Sequence, residues 1–256
     1  MKIYRFFSFP LFVVCLGCVL NSGLTAQERE LEQKSDARTP LEEIAFEPGI
    51  FFTPLPDEVE ETSGLIFWKG SLWTHNDSGG EAALYGIDTA TGNIVGKVTL
   101  GDCSNVDWED IAQDDTHIFI GDFGNNRGTR KDLKVIRIPK EIITGEKEQE
   151  INCDGMIRFS YADQQSFDKR KDPHNFDCEA MIAFGDSLYL FTKNWGNRKT
   201  RCYALPKTPG DYRVSPKEHF NAKGLITGAA LSPDNKQLVL TGYQDYVAFA
   251  WLFTDF

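Results

Sequence analysis

Apolar and polar residues alternate along most of this chain in short runs, and long stretches of helical period are absent. From Ile44 onward, the apolar runs are separated by Gly, Asp, Asn and Pro, which favour turns. Short runs bounded in this way are typical of β-strands. The best candidate helix is the polar stretch between Glu141 and Glu150, which matches a helical pattern poorly. The pattern therefore predicts an all-β domain.

A strand–turn–strand pattern occurs four times, and each copy ends in polar residues. The first strands of the four copies begin at Ser63, Glu109, Glu179 and Thr227. Each turn contains residues that tolerate the dihedral angles of a hairpin, and the turns lie at residues 69–70, 114–115, 185–186 and 233–235. A third strand follows each hairpin, and fourth strands are predicted at residues 94–100, at residues 156–161 and near Tyr212.

Four strands in a meander, repeated along a chain, form the blades of a β-propeller. A β-sandwich also contains many short strands, but it does not repeat one hairpin with matched flanking residues. Because a propeller ring has about four to eight blades, the roughly three and a half blades counted here predict an incomplete β-propeller of four-stranded blades. Residues 50–52 are predicted to form the outer strand of a blade that is missing.

The first residues have the features of an export signal. Lys2 and Arg5 give a positive start, residues 6–19 form an apolar run, and small residues precede Ala26. The sequence therefore predicts a signal peptide over residues 1–26, a flexible spacer over residues 27–43 and a partial β-propeller over residues 44–256. Export to the cell envelope or the medium follows from this division, with no transmembrane segment after cleavage.

A lipoprotein is the less favoured alternative for the same segment. Leu16-Gly17-Cys18 resembles the end of a lipobox, but Cys15 stands where an aliphatic residue is usual. Export to an oxidising compartment would allow the four remaining cysteines to pair. These cysteines are Cys103, Cys153, Cys178 and Cys202. Three connectivities are open, as is the alternative that some of the thiols are buried and free.

The formal net charge of −11 and the sequence pI of about 4.9 argue against a nucleic-acid partner, because phosphate binding needs clustered Lys and Arg. An acidic balance is compatible with cation binding.

Acidic residues recur at the start of the innermost strands. Aligned repeats place Glu61, Asp107, Asp177 and Leu225 in one column, and Ser63, Glu109, Glu179 and Thr227 two residues later.

Innermost strands line the channel of a propeller, so these side chains are expected to converge. Converging carboxylates repel one another unless a cation, an Arg or a bound proton compensates their charge, and Ca²⁺ prefers oxygen ligands. The sequence predicts a Ca²⁺ site formed by Glu61, Asp107, Glu109 and Glu179. In the alternative interpretation, which stays open, the acids cap strand ends and accept hydrogen bonds from backbone amides of the neighbouring blade.

Polar, Gly-rich loops follow the second strands of the repeats, where the backbone can approach a ligand. They predict a rim that binds a small molecule, a glycan or a protein. The candidate ligand-binding residues are Asn76, Asp77, Asp122, Asn125, Arg127 and Trp195. The alternative is that Asn and Gly only satisfy the geometry of the turns.

Several of these segments together resemble a known group of proteins. They are Glu61-Thr62-Ser63-Gly64-Leu65, Asn76-Asp77-Ser78-Gly79, Asp107-Trp108-Glu109-Asp110-Ile111-Ala112 and Gly121-Asp122-Phe123-Gly124-Asn125. The set looks like an uncharacterised group of exported bacterial propellers and, more distantly, the SdiA-regulated and phytase-like esterase propellers. The resemblance implies a ring of six or so blades, Ca²⁺ in the channel and phosphoester hydrolysis. Asp110 departs from the related pattern, which has Gly at this position.

Two hypotheses for function follow. The first is a ligand-binding or scaffold module of the cell envelope, which acts through the rim of its channel. The second is a Ca²⁺-dependent hydrolase of phosphoesters or related esters. The first is favoured because no complete acid–base set or base–nucleophile pair is identifiable, so no residue is assigned a catalytic role.

Overall fold

The computed structural model describes residues 2–7, 41–45, 55–169 and 173–254. Within these residues the helical positions are two short 3-10 turns, at Asp57–Val59 and Lys140–Ile142, and the 3-10 residue Lys169, and the all-β prediction is confirmed. The strands, in chain order, are β1 (Lys2–Phe7), β2 (Leu41–Ala45), β3 (Thr62–Trp68), β4 (Ser71–Asn76), β5 (Ala83–Asp88), β6 (Ile94–Leu100), β7 (Trp108–Gln113), β8 (His117–Asp122), β9 (Lys134–Pro139), β10 (Glu148–Ile151), β11 (Gly155–Tyr161), β12 (Asp177–Phe184), β13 (Ser187–Lys193), β14 (Thr200–Pro206), β15 (Gly210–Val214), β16 (Pro216–Phe220), β17 (Leu225–Leu231), β18 (Gln237–Gln244) and β19 (Val247–Thr254).

The strands form four sheets in a ring, which are the blades of a β-propeller and confirm the predicted fold. Blade 1 has the strand order β3-β4-β5-β6-β10, and blade 2 has the order β7-β8-β9-β11-β15. Blade 3 has the order β12-β13-β14-β16, and blade 4 has the order β17-β18-β19-β1-β2. The innermost strands are neighbours, because β7 packs against both β3 and β12, and β12 also packs against β17.

Apolar layers between successive blades form the core. Side chains alternate between the two faces of a strand, so a blade with apolar residues on both faces packs against two neighbours. Trp73 and Ile111 meet between blades 1 and 2, while Phe119 and Met181 meet between blades 2 and 3. Trp251 packs between blades 3 and 4. Full burial of each such side chain contributes about 2–3 kcal/mol.

Two outer strands belong to a different blade from the one that the order along the sequence predicts. Tyr212 lies in β15, which pairs in parallel with β11 of blade 2 rather than closing blade 3, and β16 takes that place instead. The candidate helix at Glu141–Glu150 is wrong, because its last residues belong to β10, which pairs in parallel with β6 of blade 1. Both strands cover an outer edge that would otherwise leave backbone groups unpaired.

Blade 4 includes strands from the beginning of the chain. β1 pairs antiparallel with β19, and β2 pairs in parallel with β1. Arg5 is only 2% exposed, and its guanidinium lies 4.7 Å from the ring centroid of Phe249 and 5.1 Å from that of Trp251. β1 thus lies within the predicted signal peptide, and β2 crosses the predicted spacer boundary. Cleavage itself stays a prediction, and the rest of the apolar run lies outside the described residues, as do residues 50–52.

Removal of residues 1–26 is expected to expose the edge of β19 and to cause self-association. The segment that starts at residue 27 lacks β1, so the backbone groups of β19 that pair with it are left without partners. Light scattering after size exclusion should show oligomers, and a peptide of residues 1–9 added in excess should restore the monomer. A monodisperse monomer with a cooperative melt, in the absence of the peptide, would contradict this expectation.

None of the helices in the part of the chain that the structure describes has the length and apolar character needed to cross a bilayer.

Candidate functional site

All four inner hairpins break register at the same point. At this point three of the inner strands have one residue more than the strand that pairs with them. The extra residue is Glu109 in β7, Glu179 in β12 and Thr227 in β17. In β3 the irregularity falls at Ser63 and Gly64. A β-bulge redirects the side chain of the extra residue. Two glutamates are therefore directed out of the regular strand pattern at equivalent places in neighbouring blades.

The bulges bring carboxylates from three blades together. One set of ligand atoms within 4.8 Å of one another comes from Glu109, Asp177 and Glu179, and a second comes from Glu109, Asp77 and Asp107. We refer to these five residues as the acid cluster. Glu109, Asp177 and Glu179 are buried, and Asp77 and Asp107 are half-buried. The cluster is therefore centred on Glu109, the residue that both sets share.

Two basic side chains compensate part of this charge. The Lys193 Nζ lies 2.9 Å from the Glu179 Oε1, and the Arg130 Nη1 lies 3.9 Å from the Asp107 Oδ2. Arg130 is shared with Asp122 at 2.8 Å, so its charge is divided. Among the described residues, the five carboxylates of the cluster are therefore compensated by only these two basic side chains. Ionisation of the whole cluster would leave an excess of negative charge in a buried site.

Both carboxylate oxygens of Asp177 accept hydrogen bonds from groups within the protein. Its Oδ1 accepts a hydrogen bond from the backbone N–H of Asn125 at 2.6 Å, and its Oδ2 accepts one from the Trp195 indole at 2.8 Å. Asp110, next to Glu109, also accepts hydrogen bonds at both oxygens. Its donors are its neighbour Ile111 at 2.8 Å and Met181 of blade 3 at 2.6 Å. These two acids therefore join blade 2 to blade 3 through backbone amides.

Glu109 differs from these two acids. The residue is 5% exposed, and its carboxylate lies among other carboxylates without a hydrogen bond or ion pair to any residue that the structure describes. The Oδ1 of Asp77 is likewise buried without a partner among those residues. An unpaired buried carboxylate is costly unless it is protonated or binds a ligand. Two members of the cluster therefore have acceptor oxygens that the described protein does not use.

Burial raises the pKa of carboxyl groups in the acid cluster. Burial, reinforced by Glu179, raises the pKa of Glu109 well above its usual range. Burial and Asp177 raise the pKa of Glu179, against the opposing effect of Lys193. Burial raises the pKa of Asp107 to about 6, although Arg130 lowers it. Without a cation, the cluster therefore holds protons near neutral pH.

Gly124 forms one wall of the cluster. A Cβ at this position would overlap with the Glu109 Oε1 and the Asp107 Oδ2. The Gly124 N–H donates to the backbone O of Asp107 at 3.1 Å, which holds the loop in place. The close approach of this backbone to the carboxylates therefore requires glycine.

Gly124→Ala is expected to displace the two carboxylates and weaken Ca²⁺ binding by about tenfold or more, the equivalent of about 1.4 kcal/mol. Calorimetric titration with CaCl₂ measures the change. The matched control is Gly80→Ala, because a Cβ at Gly80 meets no atom within 4 Å. Equal Ca²⁺ affinity in the two variants would show that Gly124 does not shape a cation site.

The structure brings together three of the four residues predicted to bind metal, namely Asp107, Glu109 and Glu179. Glu61 is exposed and outside both sets, although its charge helps to raise the pKa of Asp77. Asp177 was visible to sequence reasoning, since it shares an alignment column with Asp107. The sequence did not predict the β-bulges, nor did it predict that Lys193 and Arg130 lie beside the acid cluster.

The residues predicted to bind a ligand lie in different environments. Asp122 is fully buried, and its carboxylate lies 2.8 Å from Arg130 and 2.6 Å from Lys134. Asn125 is also buried, and its Nδ2 donates to the backbone O of Phe176 at 3.0 Å. These contacts are within the protein and hold the loop after β8.

The remaining four residues are more accessible. The Asn76 Nδ2 donates to the backbone O of Glu58 at 2.8 Å. Asp77 belongs to the acid cluster, and Trp195, 37% exposed, donates to Asp177 beside it. Arg127 is exposed and lines a separate cavity of about 340 Å³. Asp77 and Trp195 are therefore the predicted ligand-binding residues at the cluster.

His75 gives the folded protein a dependence on pH. It is completely buried against Trp108, and burial lowers its pKa to about 4. The unfolded chain, with a histidine pKa of about 6.5, therefore binds the proton first as the pH falls. The stability that neutral His75 contributes is present above about pH 6.5 and is lost as the pH falls towards about 4.

His75→Gln is expected to remove this part of the pH dependence. Between about pH 7 and about pH 5.5 the wild-type chain should lose about 1 kcal/mol more free energy of unfolding than the variant. Urea unfolding of both proteins at both pH values measures the difference, and contributions from the shared carboxylates cancel. Parallel losses in the two proteins would show that His75 does not titrate as described.

No protein-family model and no curated protein matches the sequence. Among solved structures, the chain is similar to the β-propeller domain of Cps50 (Swd1) from Myceliophteria thermophila, at 10% sequence identity and a TM-score of 0.37. The match covers 93% of this chain, which spans 59% of the length of that one. The class of this protein, an all-β propeller, rests on its own four sheets.

Proposed function

We propose that this protein is an exported propeller that binds Ca²⁺ in its channel and uses the site to recognise an oxygen-bearing ligand. The observation that carries the proposal is Glu109, a buried carboxylate without a partner among the described residues, at the centre of four other carboxylates. A divalent cation would supply the missing charge and occupy the free acceptor oxygens. The basic and apolar start of the sequence and the resemblance to exported propellers support export, whereas cleavage would remove β1, which pairs with β19 in blade 4.

The dimensions and chemistry of the acid cluster fit Ca²⁺. Ca²⁺ binds oxygen ligands at about 2.3–2.6 Å, so two ligands of one ion are separated by no more than about twice that distance. The ligand atoms of each set lie within 4.8 Å of one another. All the members are carboxylates, without the His or Cys that Zn²⁺ prefers. Glu109 would be the ligand common to both sets.

A bound Ca²⁺ would also account for recognition at the rim. The indole of Trp195 is partly exposed beside the cluster, and the Lys193 Nζ lies 4.7 Å from its ring centroid. A cation with coordination positions left open, next to an aromatic surface and an ammonium group, suits ligands that carry carboxylate, phosphate or hydroxyl oxygens. The proposed partners are therefore a small molecule, a glycan or a protein with such groups.

Asp107 favours a second candidate, a Ca²⁺-dependent hydrolase of phosphoesters. In the cation-free protein the Asp107 carboxyl group has a pKa of about 6, and a bound cation would lower it, so Asp107 is suited to accept a proton near neutral pH. It lies in the same set as Glu109, so a cation that binds there would be close to that proton. The ion would supply polarisation of a phosphoryl oxygen, while Asp107 would hold or move the proton.

Calorimetric titration with CaCl₂, combined with a panel of phosphoesters, tests both candidates. One ion per chain is expected, with binding lost in Glu109→Gln and kept in the control Glu146→Gln, an exposed residue outside the cluster. Phosphoester turnover that disappears in both Glu109→Gln and Asp107→Asn would favour the hydrolase. Binding without turnover would leave the binding module, and absence of binding would overturn both candidates.

A further inference from the structure

We propose that Cys103 and Cys153 form a disulfide that fastens the outer strand β10 to blade 1. Their Sγ atoms lie 3.6 Å apart, and the two residues follow the ends of the adjacent parallel strands β6 and β10. A disulfide needs a separation of about 2.0 Å, so the two sulfurs would have to approach by about 1.6 Å. This site is separate from the acid cluster and does not depend on it.

The backbone already aligns the two residues. The ladder between β6 and β10 continues beyond its last pair, because the Gly101 N–H donates to the backbone O of Ile151 at 2.9 Å. The Cys153 N–H then donates to the Asp102 Oδ1 at 3.1 Å, which places Cys153 beside the residue preceding Cys103. Bond formation therefore requires movement of side chains rather than a rearrangement of the strands.

The other two cysteines do not compete for this pairing. Cys178 packs in the apolar layer between blades 2 and 3, and Cys202 packs in the layer between blades 3 and 4. They lie on opposite faces of the same sheet, so their thiols point away from each other. Of the three connectivities that the sequence leaves open, the geometry supports only the Cys103–Cys153 bond, with the other two thiols free.

β10 is the strand that this bond would stabilise. It has four residues, of which only Ile151 is buried, so backbone hydrogen bonds provide most of its attachment. The chain reaches it from β9 of blade 2 and returns to β11 of the same blade, so β10 also ties blade 2 to blade 1. The cysteines are 50 positions apart, and a cross-link over that span constrains the unfolded chain substantially.

Oxidation needs an acceptor of two electrons, for which a low-molecular-weight disulfide such as oxidised glutathione is sufficient. One cysteine thiolate attacks this disulfide, forms a mixed disulfide and releases one glutathione thiol. The second cysteine then attacks the mixed disulfide, so the protein S–S bond forms and a second glutathione thiol is released. Burial raises the pKa of both thiols, so the exchange is expected to be slow near neutral pH, as suits a structural bond.

The test is oxidation of the full chain with oxidised glutathione, followed by peptide mapping without reductant. A linked peptide containing Cys103 and Cys153 is expected, and its formation should raise the melting temperature by about 10 °C over the reduced chain. Cys103→Ser and Cys153→Ala should each abolish that rise. Cys202→Ser, the matched control, should keep it.

Three results of the oxidation experiment would overturn the inference. They are full alkylation of both cysteines after oxidation, linkage of either one to a different cysteine, and an oxidised chain that melts at the temperature of the reduced chain. Stoichiometric zinc bound through the two thiolates would also overturn it, since Asp102 lies close enough to complete a three-ligand group.

Discussion

Saturation with Ca²⁺ is expected to raise the melting temperature of the metal-free protein, and Glu109→Gln is expected to remove the rise. At a free concentration of about one hundred times the dissociation constant, a ligand of the native state adds about 2.7 kcal/mol, which corresponds to about 5–10 °C for a domain of this size. The physical reason is that Glu109 is buried and unpaired, and its neighbours are four further carboxylates. Differential scanning calorimetry with EDTA or CaCl₂ measures both states.

The same variant should have the opposite effect in EDTA. Without a cation, the amide of Gln removes a buried acid that neighbouring carboxylates repel, so Glu109→Gln should melt at the wild-type temperature or above it. Glu146→Gln, in an exposed turn, should follow the wild type in both buffers. A Glu109→Gln protein that is destabilised equally with EDTA and with CaCl₂ would indicate a packing role for Glu109 and no cation.

Asp110→Ala is expected to lower the free energy of unfolding by about 3 kcal/mol, because buried backbone donors lose their acceptor. The Asp110 carboxyl group is completely buried and accepts a hydrogen bond from the Met181 N–H of blade 3 at 2.6 Å. The Ile111 N–H donates to the other carboxylate oxygen at 2.8 Å. One side chain of blade 2 thus binds the backbone of blade 3 as well as its own strand, and the melting temperature should fall by about 10 °C.

Two further variants separate this role from a change in charge. Asp115→Ala removes an exposed carboxylate from the turn after the same strand and should change the free energy of unfolding by less than about 0.5 kcal/mol. Asp110→Asn keeps one acceptor oxygen and should lose less stability than Asp110→Ala. Equal stability of the Asp110→Ala and Asp115→Ala proteins would contradict the role of Asp110 between blades.

The hairpins of the four blades could be predicted from the sequence, because apolar alternation and turn residues encode them locally. Aligned repeats also placed Asp107, Glu109 and Glu179 in two columns, which is why three of the four predicted metal residues converge. The outer strands could not be assigned in this way. β10 and β15 are short and largely polar, and they join a neighbouring blade through backbone hydrogen bonds that leave no pattern in the side chains.

The distinct roles of the acids also had no signal in the sequence. Asp110 and Glu109 are adjacent, yet the bulge in β7 gives them different environments. Asp110 accepts hydrogen bonds from backbone amides, whereas Glu109 is buried without a partner among the described residues. Within the acidic columns, Asp177 fits the interpretation in which an acid accepts a backbone hydrogen bond from the neighbouring blade, and the cation interpretation stays a prediction for Glu109. Asp177 and Asp110 bind backbone amides between blades, and Glu109 remains as the centre of the proposed cation site.

Anomalous diffraction from crystals grown with Mn²⁺ or Ca²⁺ tests the cation site most directly. A single strong peak is expected inside the channel, about 2.3–2.6 Å from carboxylate oxygens of Glu109 and at least one of its neighbours in the acid cluster. The peak should be absent from crystals of Glu109→Gln. A fully ordered channel with no peak at millimolar cation, or with the carboxylates directed away from one another, would contradict the account.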